Sequence, residues 1–296
     1  MPVNDKLGVV PAFNSAAYTI PELLKDPKRI EKVIEPTPEV WLSTFLFRRD
    51  TTDSGAVVFN QARKNGAYPD KGSVEEIAPG ADFPKIDLSG EVLDAKVVTK
   101  QGFAFEVKDE SVQRKNYDEA GRALRLGTNL MAQQNAAQMW QAFVDAQVPT
   151  QNAVAAWNTG GIDPRRDVLT ATSAIRNTKL GYNPRTVLIN PETMLELQLN
   201  EKFAAWMPRE NAALNPFLNP TLNGFLGLEW VDNEFVPKDE VIVFERGITG
   251  VEVVERDVEV EDIRQTGQKT LYQVSRRSVP IITDPTSAVI IKGVLS

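Results

Sequence analysis

The chain has 296 residues, of which 42% are hydrophobic, and a net charge of −7. This length lies between one large domain and two, and it is sufficient for a sizeable core. The sequence contains no cysteine and no histidine, which excludes disulfides, thiol chemistry and every Ser-His-Asp or Cys-His mechanism. An enzyme is therefore disfavoured, because catalysis would depend on Asp, Glu, Lys, Tyr or Ser alone.

The charge pattern argues against direct binding of nucleic acid. The acidic balance repels a phosphate backbone, and no Lys/Arg cluster is denser than a pair or triplet. There is also no apolar run of about 18 residues and no signal-peptide pattern. We expect a soluble protein that is made in the cytoplasm and has no contact with a membrane.

Residues 1–47 are predicted to form an N-terminal arm and its anchor. Prolines interrupt most of this segment and leave one short helical candidate, Pro21–Ile34, so the arm cannot build its own core. A frayed terminus and an arm that lies on another surface both remain open. The second interpretation is favoured by apolar residues that a solvated tail does not need, namely Val9, Val10, Phe13, Tyr18 and Ile20.

Residues 48–108 predict an extended β-hairpin. Two strand-like runs, Gly55–Phe59 and Glu91–Val107, are separated by about thirty residues rich in glycine and proline. A two-stranded hairpin is not stable alone, so this arm needs a partner surface. Its balanced charge suits another protein better than nucleic acid, with a solvated hairpin face as the alternative.

Residues Asp109–Gln147 predict one long helix, about 58 Å in length, with Asp109 as its N-cap and no proline before Pro149. Such a helix exceeds the diameter of an ordinary domain, so it must project beyond one core or brace several segments as a spine. The predicted apolar stripe is Val112, Ala120, Ala123, Leu124, Gly127, Leu130, Met131, Ala137, Trp140 and Val144. The residues expected mostly off it are Arg114, Lys115, Arg122, Arg125 and Gln133.

After a boundary near Gly160 and Gly161, the sequence alternates between helix and strand. The predicted elements are a helix over Arg166–Thr178, a strand over Arg185–Asn190, a helix over Pro191–Leu199 capped by Asn190, and strands over Leu228–Val231 and Val241–Phe244. From Gly247 onward we expect mostly strands, ending with Ala288–Lys292. They predict an antiparallel sheet with one face on the spine helix.

No motif for chemistry stands out. The patterns GxxxxGK[ST] and GxGxxG after a strand are both absent, and no cofactor is predicted. Acidic pairs and clusters, Glu75 with Glu76 and Glu259 with Glu261 and Asp262, are candidates for a divalent cation. A solvated strand face explains the second cluster better, because its charges alternate along the predicted strand.

The order of these parts resembles the major capsid protein of tailed bacteriophages with the Hong Kong 97-type fold. The resemblance covers nearly the whole chain and is carried by local motifs. They are VEEIAPGADFPKIDL in the extended loop (Val74–Leu88), AFEVKDESVQRKNYD at the start of the spine helix (Ala104–Asp118), RTVLINPETMLEL as a strand followed by a helix (Arg185–Leu197), and PTSAVIIKGV as the terminal strand (Pro285–Val294).

This resemblance implies an α+β shell subunit with five parts. They are an N-terminal arm and anchor (1–47), an extended loop (48–108), the spine helix of a peripheral domain (109–147), an axial domain (148–240), and peripheral-domain strands with the C-terminal strand (241–296). The implied inter-subunit contact candidates lie in the extended loop: Arg63, Lys64, Tyr68, Lys71, Glu75, Glu76, Ile77 and Phe83.

The same resemblance implies partners and a location. Copies would form pentamers and hexamers in an icosahedral shell, with possible scaffolding, portal and decoration proteins and with packaged DNA touched only non-specifically. The protein would be part of the virion and would be assembled in the host cytoplasm. Whether a scaffolding segment precedes the arm before maturation, or a separate scaffold is used, is left open.

Some members of this family crosslink neighbours through a Lys of the extended loop and an Asn of the spine-domain strands. Lys64, Lys71 and Lys85 are available here, but no Asn follows Asn233, so we expect no crosslink and no catalysis. The main alternative is an encapsulin, a shell of the same fold that encloses a cargo enzyme. A metal-dependent enzyme that uses carboxylates alone, and a virion adaptor or decoration protein, are less favoured alternatives.

Overall fold

The computed structural model describes residues 24, 26–34, 42–61, 76–77, 82–83, 92–114, 118–206 and 225–295. Among these residues the α-helices are α1 (Pro27–Ile34), α2 (Leu42–Leu46), α3 (Asp109–Gln113), α4 (Asp118–Asp145), α5 (Pro164–Arg176), α6 (Pro191–Leu199) and α7 (Glu201–Trp206). The strands are β1 (Arg48–Thr51), β2 (Ala56–Gln61), β3 (Val92–Val97), β4 (Thr99–Lys108), β5 (Thr150–Asn152), β6 (Thr186–Ile189), β7 (Glu229–Asp232), β8 (Glu240–Phe244), β9 (Gly250–Gln265), β10 (Lys269–Ile282) and β11 (Ala288–Lys292). The predicted α+β class is confirmed.

A four-stranded sheet in the order β1-β9-β10-β4 lies against the long helix α4. Strand β10 is antiparallel to both of its neighbours, and β1 joins β9 in parallel. The buried residues at the contact between helix and sheet include Ala120, Leu124 and Met131 of α4 and Phe105, Val260 and Val274 of the sheet. The predicted packing of antiparallel strands on the spine is therefore confirmed.

The two faces of this sheet are covered by different parts of the chain. Glu252 of β9 faces α2 and α4, since its carboxylate contacts Ser43 and Asn135. Neighbouring side chains of a strand point to opposite faces, so Val251 and Val253 face away from α4. There they pack with Val279 and Ile281 against Val57 and Phe59 of β2. The spine helix thus covers one face, and the hairpin of β2 and β3 covers part of the other.

Helix α1 lies on the same face as α4. Ile30 is fully buried in a cluster with Ala120 and Leu124, and the Glu31 carboxylate accepts a hydrogen bond of 3.1 Å from the backbone NH of Val260. The hydroxyl of Tyr272 donates to the carbonyl of Leu24 at 2.9 Å. The helical candidate Pro21–Ile34 is thus a helix over its second part, while residues 21–23 and 25 lie outside the described residues.

A five-stranded sheet in the order β5-β11-β8-β6-β7 corrects the grouping of the C-terminal strands. We expected the strands after residue 241 to return to the spine sheet, but β8 and β11 pair within the sheet that contains β6 and β7. Strand β6 is buried along its whole length, and four of five residues are buried in both β8 and β11. Strands that are buried almost continuously are covered on both faces, and in this sheet α4 covers one face while α5, α6 and α7 cover the other.

Helix α4 braces both sheets, as its length predicted. Its first half packs on the four-stranded sheet, whereas Met139 and Phe143 near its end pack on Leu188, Ile242 and Ile290 of the five-stranded sheet. The opposite face of the five-stranded sheet packs against α5, α6 and α7, through the buried residues Val168, Ala171, Ile175, Met194, Leu197 and Phe203. Both sheets therefore share one helix as a common support.

The start of the spine differs from the prediction. The structure has a short helix, α3, and then α4, which is about 42 Å long and ends at Asp145; residues 115–117 lie outside the described residues. Asp109 is not a cap, because Lys108 holds the cap position of α3 and makes no side-chain bond there. The Asp109 carboxylate instead accepts hydrogen bonds from the guanidinium of Arg264, and these hydrogen bonds lower the pKa of Asp109. Strand β4 runs into α3 beside the β9–β10 turn, so the sheet holds Asp109.

The apolar stripe of the spine is also partly different. Ala120, Leu124, Gly127 and Met131 are buried as predicted, and the described members of the polar set are exposed. However, Val112 is 41%, Leu130 62% and Val144 50% exposed, and Ala137 is exposed too. The buried face instead includes Thr128 and Asn135, both at most 1% exposed. The hydrophobic pattern failed here because polar residues occupy the core side and apolar residues the outer side.

The cap prediction at α6 is confirmed. The Asn190 side chain accepts a hydrogen bond of 2.9 Å from the backbone NH of Glu192, and Pro191 occupies the first helical position. Asp163 caps α5 in the same way, by accepting from the NH of Arg165 at 3.2 Å. These local signals fix the starts of both helices that cover the five-stranded sheet.

We expect Gly127→Ala to lower the free energy of unfolding by about 1–3 kcal/mol. A Cβ at position 127 would lie 2.2 Å from the Phe103 ring, so β4 and α4 would have to separate. This loss would oppose the gain of about 1 kcal/mol that alanine normally brings to a helix. Chemical denaturation measures the change. Gly160→Ala is the control, because a Cβ there meets no atom within 4 Å. The double variant Gly127→Ala with Phe103→Leu should recover stability, because the smaller side chain makes room for the Cβ. If Gly127→Ala had the same free energy of unfolding as the wild type, the close contact with Phe103 would be contradicted.

Candidate inter-subunit surfaces

The two-stranded sheet of β2 and β3 has one face on the body and one face in solvent. Its strands are antiparallel, with Ala56 opposite Val97, Val58 opposite Ala95 and Asn60 opposite Leu93. These six residues share one face, because directly opposed residues lie on the same side of a sheet. We call this the outer hairpin face. Its large apolar residues are strongly exposed: Val58 66%, Leu93 70% and Val97 70%.

This face has the properties of a contact surface rather than of an ordinary solvated strand. Natural two-stranded sheets expose polar side chains on the solvent side, whereas here both faces carry large apolar residues. Within the described part of the chain, β2 and β3 pair only with each other, so each has an open edge. Open edges beside an exposed apolar face are sites of association with another chain.

The base of the hairpin is fixed to the end of the spine helix. The Lys96 ammonium lies 2.6 Å from the Asp145 carboxylate, and Gln141 donates to the same carboxylate at 2.7 Å. Hydrogen bonding by Lys96 is the main cause that lowers the pKa of Asp145. A carboxylate at a helix C-terminus is opposed by the helix dipole, so Lys96 supplies the compensating charge. The contact sets the direction in which the hairpin leaves the body.

We expect Lys96→Met to loosen the hairpin base and to lower stability by at most about 1 kcal/mol, since the pair is partly exposed. A carboxyl group with a lowered folded pKa stabilises the fold above its unfolded pKa, and this contribution is lost as the pH falls through the folded value. The difference between wild type and variant should therefore be fully present at neutral pH and begin to shrink as the pH falls below about 4, towards the lowered pKa of Asp145. Amide hydrogen exchange of residues 92–97, followed as a function of pH, measures this difference. Lys100→Met, at an exposed lysine, is the control. Equal exchange rates in Lys96→Met and Lys100→Met would contradict the role of Lys96.

A buried polar cluster joins the N-terminal anchor to the spine and its sheet. Arg276 of β10 and Glu252 of β9 are at most 2% exposed and form an ion pair of 2.9 Å. Ser43 Oγ lies 2.8 Å from Glu252 Oε1 and 2.9 Å from Asn135 Oδ1. Thr44 also contacts the Glu252 carboxylate. We call these five residues the junction network; it fixes α2 to both α4 and the four-stranded sheet.

The same anchor is held to the five-stranded sheet. The Arg246 guanidinium donates to the carbonyl of Phe45 at 2.8 Å and lies 4.0 Å from the centre of its ring. The backbone NH of Gly247 donates to the carbonyl of Leu46 at 3.1 Å, and the ring of Phe47 packs at a tilt against that of Phe143, with 5.6 Å between their centres. The anchor therefore ties both sheets and the spine together beneath the base of the arm.

The predicted contact candidates lie mostly outside the described residues. This applies to Arg63, Lys64, Tyr68, Lys71 and Glu75, and also to Lys85. Of the others, Glu76 is exposed, Ile77 is half-buried and Phe83 is 78% exposed. The outer hairpin face was missed in the sequence, although the runs AVVFNQ and VLDAKV place apolar residues at both odd and even positions. That departure from strict alternation was the available signal.

Other kinds of site find little support in the described residues. No group of three or more acidic side chains there is arranged to hold a metal ion. Glu261 and Asp262 are exposed on β9, and half-buried Glu259 pairs with Arg256 at 2.9 Å. Among the helices that are described, none has the length and apolar character required to cross a membrane.

The sequence matches one protein family along more than half of its length. Residues 90–291 fit the sequence model of a family described as phage capsid protein. This region begins just before β3 and ends within β11, so it contains the spine helix, the five-stranded sheet up to Ile291, and the four-stranded sheet apart from β1. No curated protein shows significant sequence similarity to the chain.

Solved structures with similar folds include phage capsids and an encapsulin complex. The capsid of the cyanophage P-SCSP1u matches with a TM-score of 0.64 at 14% identity, covering 84% of this chain and 87% of the other. A phage-related protein of Bordetella bronchiseptica RB50 matches with a TM-score of 0.61 at 15% identity, covering 91% and 97%. The SrpI encapsulin of Synechococcus elongatus PCC 7942 matches with a TM-score of 0.60 at 11% identity, covering 86% and 87%.

Proposed function

The chain belongs to the phage capsid protein family, and we propose that its copies assemble into an icosahedral shell around the double-stranded DNA genome of a tailed bacteriophage. The protein is a structural component of a capsid, and its fold is the Hong Kong 97-type fold. It forms part of a multimeric shell in the virion. The number of copies, their symmetry and the enclosed genome are the parts that we propose.

The outer hairpin face is the observation that carries this proposal. A two-stranded sheet with three large apolar side chains exposed on it does not remain in water without a partner. In a shell of identical subunits, the partner is the neighbouring copy. The contact is heterologous, since the hairpin of one copy meets a different surface of the next, and such contacts close into rings when the rotation between copies allows it.

Rings of five and six subunits provide the closure that an icosahedral shell requires. The five-stranded sheet with α5, α6 and α7 is proposed as the axial domain, which clusters around these rings. The spine helix and the four-stranded sheet are proposed as the peripheral domain. The tip residues Arg63, Lys64, Tyr68, Lys71, Glu75, Glu76, Ile77 and Phe83 remain proposed contacts between neighbours.

The proposed subunit has no catalytic role and no cofactor. Its net charge of −7 suits a wall that touches packaged DNA without binding it specifically. Assembly in the host cytoplasm and interactions with scaffolding, portal and decoration proteins complete the proposal. The scaffolding, portal and decoration proteins would each be recognised by their effect on shell formation or shell closure.

An encapsulin shell is the second candidate function. The likeness to the encapsulin of Synechococcus elongatus, with a TM-score of 0.60, supports it at the level of fold. The two functions differ in what the shell contains, because an encapsulin encloses a cargo enzyme and a phage capsid encloses DNA. The family match favours the phage capsid.

Electron microscopy of the purified protein after size-exclusion chromatography tests the proposal. Closed shells, or rings of five and six subunits, are the expected result. Shell diameter and contents then separate the two functions, since DNA supports the phage capsid and a co-purified enzyme supports the encapsulin. A monodisperse species near 32.8 kDa, even with a co-expressed scaffold, would overturn the assembly proposal.

A further inference from the structure

The two ends of the five-stranded sheet are covered by different helices. Helix α5 packs on β11 and β8, next to the edge strand β5. Helix α6 starts at the opposite end, because its cap residue Asn190 donates to the carbonyls of Glu234 and Val236 in the loop after the other edge strand, β7. The two helices therefore lie towards opposite edges of one sheet, and each presents its outer face to a different side of the molecule.

The α5 end of the sheet is basic. Within residues 163–180, which we call the basic flank, the cations are Arg165, Arg166, Arg176 and Lys179 and the carboxylates are Asp163 and Asp167. Asp167 is 1% exposed and accepts a hydrogen bond of 2.9 Å from the indole NH of Trp157. Asp163 forms an ion pair with Arg165. The other three cations are exposed, so the surface of this flank is positive.

The basic flank also contains a groove with a volume of about 760 Å³. Among the described residues its lining includes one side of α5, namely Arg166, Leu169, Thr170, Ser173, Ala174 and Asn177. Leu169 is 49% exposed, and the small side chains of Ser173 and Ala174 leave space beside it. The groove thus combines an apolar floor with positive charge at its border, which suits an apolar side chain that is flanked by carboxylates.

The α6 end of the sheet is acidic. Helix α6 (191–199) and the loop 232–239 beside its start form what we call the acidic flank. Its charged residues are five carboxylates, Glu192, Glu196, Asp232, Glu234 and Asp239, and one cation, Lys238. Lys238 forms an ion pair with Glu192. Glu192, Glu234 and Asp239 are exposed, so the surface of this flank is negative.

Two exposed leucines lie on the acidic flank. Leu195 is 54% and Leu199 is 65% exposed, and they are one helical turn apart on α6. Glu192 and Glu196 each precede one of these leucines by three residues, and residues three or four apart share a face of a helix. The outer face of α6 is therefore an apolar ridge bordered by carboxylates. It is the complement, in shape and in charge, of the groove on α5.

We propose that the acidic flank of one copy docks on the basic flank of the next copy around each ring, with Leu195 and Leu199 seated beside Leu169 in the α5 groove. This contact rests on the proposed assembly of the shell from rings. Because the two flanks lie towards opposite edges of the sheet, each copy uses one flank for each neighbour, and the contact is heterologous, as closure into a ring requires. Two acidic or two basic flanks repel each other, so the charges also fix the head-to-tail order.

Charge reversal tests this pairing without depending on its exact register. Arg166→Glu with Arg176→Glu makes the basic flank acidic, and Glu196→Lys with Glu234→Lys makes the acidic flank basic. Each reversal should lower the yield of sedimenting shells at least about tenfold, because like charges then face each other. The two reversals change the net charge in opposite directions, so net charge does not explain a defect in both. The protein with all four changes should return to within about twofold of the wild-type yield.

A mixture of the two reversed proteins gives a further result that is specific to this contact. Each reversed protein has two flanks of the same sign, so favourable contacts form only between one reversed protein and the other. The two proteins must therefore alternate around a ring. Alternation closes with six copies but not with five. Electron microscopy of the mixture should show rings of six without rings of five, whereas the wild type forms both.

Cysteine pairing measures the contact itself, because the chain has no cysteine. Leu169→Cys with Leu195→Cys should link neighbouring copies under mild oxidation and give covalent rings of five and six on a non-reducing gel. The control is Leu169→Cys with Ile263→Cys, whose second position is 42% exposed on the four-stranded sheet. This control pair should link at least about tenfold more slowly, because no docked contact holds its two cysteines together.

The outcomes separate this contact from assembly as a whole. If the wild type forms shells while both cysteine pairs link at equal rates, or while the fourfold variant stays as defective as the two reversals, the docking of the flanks is refuted and shell assembly stands. If the wild type forms neither shells nor rings, the assembly proposal fails and this contact fails with it. Thermal unfolding of the unassembled subunits shows which charge variants fold, and the cysteine measurement decides where one does not.

Discussion

The Arg276→Met variant is expected to lose about 3–5 kcal/mol of unfolding free energy, because it leaves the buried Glu252 carboxylate without its cation. A charge buried without a partner costs far more than a lost surface pair, since water cannot solvate it. The remaining contacts of Glu252, from Ser43, Thr44 and Asn135, do not replace a positive charge. We expect weaker attachment of α2 and a large loss of assembled particles as a consequence.

Two comparisons isolate the buried charge as the cause. Arg256→Met removes a guanidinium from an exposed ion pair on the same sheet and should change stability by less than about 0.5 kcal/mol. The double variant Arg276→Met with Glu252→Gln removes both charges and should recover part of the loss. Chemical denaturation of all three proteins measures these differences. If Arg276→Met were as stable as Arg256→Met, the junction network would have no stabilising role.

Carboxylates on the outer hairpin face are expected to abolish shell formation without unfolding the subunit. In Val58→Asp with Leu93→Asp, two side chains that are 66% and 70% exposed become charged. Exposed positions tolerate such changes within about 0.5 kcal/mol in the free subunit. In a closed contact, burying a carboxylate costs several kcal/mol, and each 1.4 kcal/mol is a factor of ten. The concentration needed for assembly should therefore rise at least about 100-fold.

A shape-preserving variant distinguishes charge from lost apolar area. Val58→Thr with Leu93→Asn keeps the volume of both side chains and should give an intermediate defect. Particle yield from sedimentation, together with thermal unfolding of the unassembled subunit, separates assembly from folding. Normal yields of shells from the doubly charged variant would show that another surface of the chain makes the contacts between neighbours.

Local signals were sufficient for much of the fold. Asn190 followed by Pro191 determined the start of α6 because cap and proline chemistry act within a few residues. The final strand, Ala288–Lys292, was predicted with its observed bounds, because β-branched residues dominate it. Pairing between distant strands was less accessible. The short edge strands β1 and β5 are polar, RRDT and TQN, and their positions depend on partners β9 and β11 far along the chain.

The contact surfaces were predictable in kind but not in position. The sequence predicted that the hairpin needs a partner surface, because a two-stranded sheet is not stable alone. The same reasoning applies to the two-stranded sheet of β2 and β3 in the structure. The exposed residues on them were not identified, because a run such as AVVFNQ does not reveal which apolar side chain faces the body. The buried face of α4 was misassigned for a related reason. Asn135 is buried to serve the junction network, and Leu130, which is apolar, lies outside.

The anchor at α2 has a consequence for the order in which the protein folds during synthesis. Ser43 contacts Glu252, and Arg48 of β1 pairs with Val251, so segments about two hundred residues apart in sequence must meet. Contacts of such long range form late and slowly. Because synthesis runs from the N-terminus, β9 leaves the ribosome about two hundred residues after the anchor. Until then, α2 and β1 lack the strand to which they bind. A nascent chain thus lacks a complete subunit until its C-terminal strands arrive, which delays any encounter between copies until translation is nearly finished.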